Sequence, residues 1–197
     1  MKDDPLTQEL VDRIRERDND AFSTVYQLLA SDLLSFAVGM LRDRGAAEDA
    51  VQQSFLELAR AAPTISGDGR SLRSWLYKSV RFSCLDEIRR RGRRPEDPTD
   101  VLPPIEEWGP ELPDPILRDA LMQLSERQRT IVLLRHVAGF SVGEIARIIG
   151  TTSAGVYASS ARAERTLKRL IETVENGADP ASEPIQVPSE REGIDRG

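Results

Sequence analysis

Residues 124–170 restrict the fold of this 197-residue chain more than any other part, because they contain two short helical patterns separated by a tight turn. Ser141 can cap the first helix, and Glu144, three residues later, completes a capping box. Gly150 can end that helix, and Thr152 can cap the next one. Helices joined in this way form a helix-turn-helix, whose second helix lies in the major groove when such a unit binds DNA.

Two further helical patterns precede this unit and predict its support. Apolar residues recur over 121–137, and Ser125-Glu126-Arg127-Gln128 interrupts them, so Ser125 is expected to cap the second of these helices. The complete pattern predicts a four-helix module. Many such modules are only small packed domains, so this pattern by itself leaves DNA binding open.

The first half of the chain predicts four more helices with apolar stripes. A short one covers residues 6–17, Asp20 is expected to cap a long core helix, and Gly45 to separate it from the third. The apolar positions of the long helix, all expected in the core, are Phe22, Val25, Tyr26, Leu29, Leu33, Phe36 and Met40. The third helix carries a compact polar face formed by Asp49, Gln52, Gln53 and Glu57. That face is either simply solvated or a docking surface.

The fourth helix starts near Arg70, after a loop with two glycines that follows Pro63. Its expected buried stripe is Leu72, Trp75, Leu76, Val80, Cys84 and Ile88, and its other faces carry Arg73, Tyr77, Lys78 and Arg81. Aromatics among basic residues can follow a nucleic-acid backbone and stack on an unpaired base. The alternative is a basic surface helix without a special function.

The net charge of −6 hides two basic segments. Residues 70–94 contain nine basic and two acidic side chains, and residues 120–175 contain eight basic and five acidic ones. Residues 95–119 are the reverse, with one basic and eight acidic side chains. Because repeated prolines prevent a helix there, residues 95–115 are expected to form an acidic linker.

These patterns predict an all-α fold of two small helical domains, at 1–94 and 116–175, joined by the acidic, proline-rich linker. Residues 176–197 lack a periodic apolar pattern and are expected to form a disordered tail. The amino-terminal residues lack the basic and apolar regions of a signal peptide, and no uninterrupted apolar run approaches the roughly 20 residues of a membrane span. We therefore expect a cytoplasmic protein without direct membrane insertion.

Catalytic and metal sites are not expected. Cys84 and His136 are the only residues of their types, and zinc needs three or four convergent ligands, so neither a metal nor a cofactor is expected. Asp86 and Glu87 lie beside arginines and are expected to form ion pairs rather than an acid–base pair. We therefore expect that the protein is not an enzyme and has no small-molecule substrate.

Three phrases occur in order along the chain, namely AEDAVQQSFLELAR, RSLRSWLYKSVRFSCLDEIRRRGRR and LSERQRTIVLLRHVAGFSVGEIARIIG, with the acidic linker before the third. Together they resemble the extracytoplasmic-function (ECF) sigma factors, the compact two-domain group of the bacterial sigma-70 family, over about residues 5–173. The resemblance implies a non-enzymatic initiation factor that binds core RNA polymerase, recognises promoter DNA and helps to melt it. It also implies an anti-sigma factor as a partner.

The resemblance implies a role for each segment. The polar face of the third helix would dock on the clamp helices of the polymerase's largest subunit. The fourth helix would hold the non-template strand of the minus-ten element, and the 63–69 loop would help to hold a flipped base. The residues of the fourth helix expected to contact this strand are Arg70, Arg73, Trp75, Tyr77, Lys78, Arg81 and Phe82. The second domain would bind the polymerase flap and the minus-thirty-five element; the residues expected there are Thr152, Ser153, Tyr157, Ser159, Arg162 and Arg165. The linker would enter the active-site and RNA-exit path.

The sequence departs from the family pattern in two places. Tyr157, Ser159 and Ala161 stand where the family usually has Lys, Arg and His, so upstream DNA binding is expected to be weaker and less salt-dependent. Phe82 occupies a position often filled by Asn, and both stacking and simple packing remain open for it. The alternative function is a helix-turn-helix regulator that is not a polymerase subunit and that binds a symmetric operator.

Overall fold

The structure, a computed structural model, describes residues 5–93 and 115–175. These residues form eight α-helices and one 3-10 turn, and no strand occurs among them. The predicted all-α fold is therefore confirmed. The predicted linker, except its last residue, and the predicted tail lie outside the described residues.

The first half contains α1 Gln8–Arg15, α2 Asn19–Leu41, α3 Arg44–Ala61 and α4 Gly69–Gly92, with the 3-10 turn Ala62–Thr64 between α3 and α4. Two predicted boundaries are wrong. Asp18, not Asp20, caps α2, because its side chain accepts hydrogen bonds from main-chain N–H groups of the first turn. Gly45 lies inside the first turn of α3, since the break falls at Arg42, whose φ is 55°, and Asp43 caps the new helix.

The helix α1 covers the loop that leads into α4. Its apolar side is buried against the core, as predicted. On its other side, Arg15 donates from Nε to the carbonyl of Ile65 at 2.8 Å and from Nη2 to the carbonyl of Gly67 at 2.7 Å. A Cβ added at Gly69 would lie 1.8 Å from the main-chain oxygen of Leu6, so only glycine fits where α4 begins against the segment that precedes α1.

By length and composition, α2 could also cross a membrane, and it is the one helix in the described part of the chain that passes this test. Half of its most apolar stretch is buried inside the protein. Val25, Leu33 and Phe36 are fully buried against the neighbouring helices. Because the central helix of a packed domain passes the same test, we interpret α2 as the core helix that the sequence predicted.

The second half contains α5 Pro115–Met122, α6 Glu126–His136, α7 Val142–Ile149 and α8 Ser153–Glu175. Both predicted caps are present as complete capping boxes, Ser125 with Gln128 at α6 and Ser141 with Glu144 at α7. Gly150 ends α7 with a φ of 70°, as predicted. The helix-turn-helix is therefore α7 and α8, supported by α5 and α6.

The two halves pack against each other through one continuous apolar core. Leu133 of α6 lies on Gly39 of α2, where an added Cβ would be only 2.7 Å from its Cδ2. At the edge of this contact, Arg42 forms a 2.7 Å ion pair with Asp119 of α5. A small residue on α2 thus permits the close approach of the two halves.

Candidate nucleic-acid and polymerase interfaces

The polar face of α3 is only partly free. Asp49, Gln52 and Gln53 are exposed, as a docking surface requires. Glu57 is half-buried, and its carboxylate accepts hydrogen bonds from Gln53 Nε2 at 3.2 Å and from the hydroxyl of Ser79 on α4 at 2.5 Å. Glu57 therefore holds α3 against α4, and the freely accessible part of the face is the other three side chains.

A groove of about 800 Å³ lies beside this face, between α2 and α3. The rings of Tyr26 and Phe55 lie 4.9 Å apart in its wall, and Gln52 lies on its edge. Tyr26 was predicted to be in the core, which is wrong, because 49% of its surface is exposed. Leu56, which is 54% exposed, also lines the groove. Its exposure was not predicted from the sequence, although its position beside the exposed polar residues of α3 indicated that it faces outward.

The predicted minus-ten residues on α4 divide by exposure. Arg70, Lys78 and Phe82 are exposed, whereas Arg73, Trp75 and Arg81 are half-buried and Tyr77 is fully buried. The predicted outward orientation of Tyr77 is therefore wrong. Its ring packs edge-on between Phe36, 5.4 Å away, and Phe140 of the second half, 5.0 Å away. Burial raises the pKa of Tyr77 to about 12, although the nearby guanidinium of Arg73 acts in the opposite direction.

Arg73 lies between the two halves. Its Nη2 donates to the main-chain oxygen of Ala138 at 2.6 Å, and its guanidinium lies 4.5 Å from the centre of the Phe140 ring. Both partners belong to the turn between α6 and α7. This turn therefore covers the middle of α4 and occupies two of the residues predicted to contact DNA, Arg73 and Tyr77.

Arginines near the carboxyl-terminal end of α4 form ion pairs with carboxylates of the same helix. Arg89 pairs with Asp86 at 2.9 Å, while Arg90 and Arg91 both pair with Glu87 at 2.7 Å. Burial alone would raise the pKa of Glu87, but hydrogen bonds from Arg91 and Arg90 outweigh it and hold the pKa below its ordinary value. The prediction that these carboxylates are ion-paired is confirmed.

On the recognition helix α8, five of the six predicted residues are exposed. Thr152 accepts a hydrogen bond from the Gly155 N–H at 3.1 Å and so caps α8 as predicted. Ser159 is 9% exposed, so its predicted DNA-facing orientation is wrong in this arrangement. The exposed residues are Thr152, Ser153, Tyr157, Arg162 and Arg165.

No group of three or more His, Cys, Asp or Glu residues positioned to hold a metal occurs among residues 5–93 and 115–175. Cys84 is buried, and burial raises the pKa of its thiol to about 12. A thiol with this pKa stays protonated near neutral pH and is a poor nucleophile. Cys84 is therefore a core residue, as its place in the apolar stripe indicates.

A capped helix-turn-helix, together with a separate helix that exposes cations and an aromatic ring, is typical of helical proteins that bind nucleic acids. Comparison with known proteins identifies the class more closely. The sigma-70 region 2 model matches residues 25–94, and the sigma-70 region 4 model matches residues 115–167.

Named relatives agree with these matches. The chain is 30% identical over 177 residues to the ECF RNA polymerase sigma factor BldN of Streptomyces coelicolor, covering 86% of this chain and 67% of that protein. It is 29% identical over 163 residues to the ECF RNA polymerase sigma factor SigM of Mycobacterium tuberculosis, covering 82% of this chain and 83% of that protein. The sigma factor RpoE of Bartonella quintana, solved in complex with the anti-sigma factor NepR, has a TM-score of 0.62 at 26% identity, covering 77% of this chain and 96% of that one.

The chain belongs to the ECF sigma factors of the sigma-70 family, and it is an RNA polymerase sigma factor. The resemblance inferred from the three sequence phrases is confirmed.

Proposed function

We propose that this sigma factor docks on core RNA polymerase through Asp49, Gln52 and Gln53, the exposed part of the α3 polar face. It directs the polymerase to promoters, holds the minus-ten strand along α4 and binds the minus-thirty-five element with α8. The observation that carries this assignment is the exposure of Arg70, Lys78 and Phe82 along a helix separate from the helix-turn-helix. This function places the protein in the cytoplasm, where polymerase and promoters meet.

The protein acts as a binding factor, and the polymerase supplies the chemistry. Asp86 and Glu87 are held in ion pairs, and the Cys84 thiol is buried, so these groups support no reaction of their own. Melting needs only binding energy that favours an unstacked strand over the duplex.

Promoter binding requires the two halves to separate. The minus-ten and minus-thirty-five elements, centred about 25 base pairs apart, lie roughly 85 Å apart along B-DNA. In the structure, however, the turn at Ala138–Phe140 contacts α4 directly through Arg73. We infer that this arrangement is the resting form and that α4 becomes fully accessible when the second half moves away.

An anti-sigma factor is the partner that we propose for this resting form. The support is the similarity to the Bartonella quintana sigma factor, which was solved with its anti-sigma factor bound and of which this chain covers 96%. The anti-sigma factor would hold the two halves together and keep α4 from DNA.

Reconstitution with core polymerase tests the docking surface. The double variant Gln52→Ala with Gln53→Ala should lose about tenfold in affinity for core, measured by fluorescence anisotropy, and should lose run-off transcription in parallel. Leu28→Ala changes another exposed residue of the same domain and serves as the control. A wild-type chain that binds duplex DNA at a symmetric operator but forms no stable complex with core would instead favour a regulator that is not a polymerase subunit.

A further inference from the structure

Arg15 joins α1 to the loop that leads into α4. From Nε it donates to the main-chain oxygen of Ile65 at 2.8 Å, and from Nη2 to that of Gly67 at 2.7 Å. Its Nη1 donates to the carboxylate of Asp12 on the same helix, so each of the three guanidinium nitrogens has a partner. One cation thus holds two loop carbonyl groups that are two positions apart, by charge-assisted hydrogen bonds.

The two ends of this loop are fixed by local contacts in the described part of the chain. The Ile65 N–H donates to the carbonyl of Ala62 at 3.3 Å, and Asp68 caps α4 by accepting from the Ser71 N–H at 2.9 Å. Gly67, between these ends, has a φ of 89°, and glycine permits many other backbone conformations. The hydrogen bonds from Arg15 therefore select one conformation for the middle of the loop.

The middle of the loop is also its accessible part. Ser66, Gly67 and Asp68 are exposed, and so is Arg70 in the first turn of α4. Exposed main-chain and hydroxyl groups can hydrogen-bond to the edge of an unpaired base, and a neighbouring cation can hold a phosphate. Such contacts distinguish one base from another only when the loop keeps one conformation, because ordering a mobile loop during binding costs affinity.

We propose that Arg15 is a positioning residue for promoter recognition, which holds residues 65–67 in the conformation that distinguishes one base of the melted minus-ten strand. This inference rests on the proposed function, because it concerns the strand held along α4. Arg15 acts through the loop, since each of its guanidinium nitrogens already donates within the protein. Helix α1, to which the proposed function gives no role, thereby affects the base preference of the promoter.

Two further variants separate the loop contact from a general effect on α1. Arg13 lies on the same helix, and its Nε pairs with Asp18 at 2.7 Å, so Arg13→Ala removes a guanidinium and an ion pair but keeps Arg15 on the loop. Arg15→Lys keeps the charge, but an ammonium group lacks the planar fork that reaches two carbonyl groups together. Arg13→Ala is the matched control, and Arg15→Lys is the conservative variant.

Reconstituted holoenzyme and fork-junction DNA test the proposal. The non-template strand of the probe comes from a promoter selected with wild-type holoenzyme, and each single-stranded position carries in turn each of the four bases or an abasic sugar. At one position, wild type and Arg13→Ala should prefer one base about tenfold. Arg15→Ala should reduce this preference to about twofold, and Arg15→Lys should lie between them. With the abasic sugar at that position, all four proteins should bind within about twofold of one another.

An unchanged base preference of Arg15→Ala at every position would overturn the positioning role and leave the proposed function intact. An equal loss of affinity for every probe, including the abasic one, would overturn it as well, because such a loss indicates only a less stable fold. Should Arg15→Ala fail to fold, Arg15→Lys decides the question by the same comparison. A wild-type chain that forms no complex with core polymerase would overturn the proposed function, and this inference with it.

Discussion

Arg129 of α6 donates from Nη1 to the main-chain oxygen of Met40 at 2.7 Å, and so caps the carboxyl-terminal end of α2 in the other half of the protein. The same guanidinium donates to the main-chain oxygens of Leu121, Met122 and Leu124 at 3.0–3.2 Å. Met40, Leu121 and Met122 lie in the last turns of α2 and α5, where carbonyl groups carry partial negative charge, and Leu124 lies in the connection to α6. One buried cation therefore fastens α2, α5 and α6 together with main-chain acceptors alone.

We expect Arg129→Met to lower the free energy of unfolding by about 3 kcal/mol, because several buried carbonyl groups lose a charged donor. Burial lowers the pKa of Arg129 because it disfavours the charged guanidinium, while the nearby carboxylate of Glu126 acts in the opposite direction. Urea denaturation followed by circular dichroism measures the change. Arg147→Ala, on an exposed arginine of α7, should stay within about 0.5 kcal/mol of wild type. A similar loss in both variants would contradict a special role for Arg129.

Phe140→Ala should open the protein, since the ring contacts both Tyr77 and Arg73 across the boundary of the two halves. We expect a larger radius of gyration by small-angle X-ray scattering and easier access of a single-stranded oligonucleotide to α4. Val137→Ala, on an exposed residue of the same turn, is the matched control. An unchanged radius for Phe140→Ala would mean that the ring does not hold the halves together.

Tyr77→Phe should stabilise the protein by about 1 kcal/mol at neutral pH, because the buried Tyr77 hydroxyl lacks a hydrogen-bond partner among the described residues. The advantage should grow at alkaline pH. Tyrosine ionises near pH 10 in the unfolded chain, whereas the folded pKa is about 12, so wild-type stability falls between these values and the variant lacks this loss. Thermal denaturation of both proteins from pH 8 to roughly pH 11.5 measures the difference. A constant difference over this range would argue against a buried, neutral Tyr77.

Gly150→Ala should destabilise the helix-turn-helix by about 1 kcal/mol, because Gly150 has a φ of 70° and a side chain there strains the backbone. No atom lies within 4 Å of an added Cβ, so the loss reflects backbone conformation alone. Gly143→Ala is the matched control: it also has open space, but it lies inside α7, where alanine is favoured over glycine. Chemical denaturation should therefore give changes of opposite sign for the two variants.

Arg162→Ala and Arg165→Ala should each weaken binding to upstream promoter DNA and reduce the slope of log affinity against log salt by about 0.9. Both guanidinium groups are exposed on α8, and neither forms an ion pair within the described ranges. Titrations of holoenzyme against an upstream duplex at several salt concentrations give the slope. Arg44→Ala, which removes an exposed arginine paired with Glu48 on α3, should leave the slope unchanged.

Interactions between residues three or four positions apart were predictable from the sequence. The capping boxes at Ser125 and Ser141 and the ion pairs of Asp86 and Glu87 are local, so sequence spacing alone brings the partners together. The assignment to the ECF sigma factors likewise rested on continuous sequence segments, which can be read without knowing the tertiary structure. Caps could still be misassigned within the first turn, as at Asp20, because several acidic residues compete for one set of N–H groups.

Exposure, in contrast, was decided by tertiary packing. Tyr26 was predicted in the apolar stripe of its helix and Tyr77 outside that of α4, yet Tyr26 lines an open groove while Tyr77 is buried. The difference comes from Phe140, which covers Tyr77 from the other half of the chain and which no local pattern connects to it. Ser159 was misjudged for the same reason, since its burial depends on the helices packed against α8.

The sequence by itself determined which segments form helices, which segments are basic and which family the chain belongs to, because caps, periodicity and charge act over a few residues. Only the tertiary structure decided how the halves meet. Arg129 and Met40 are 89 positions apart, and the main-chain oxygen of Met40 becomes an acceptor for Arg129 only when α6 reaches the end of α2. A main-chain acceptor carries no side-chain signature, so this contact leaves no pattern in the sequence.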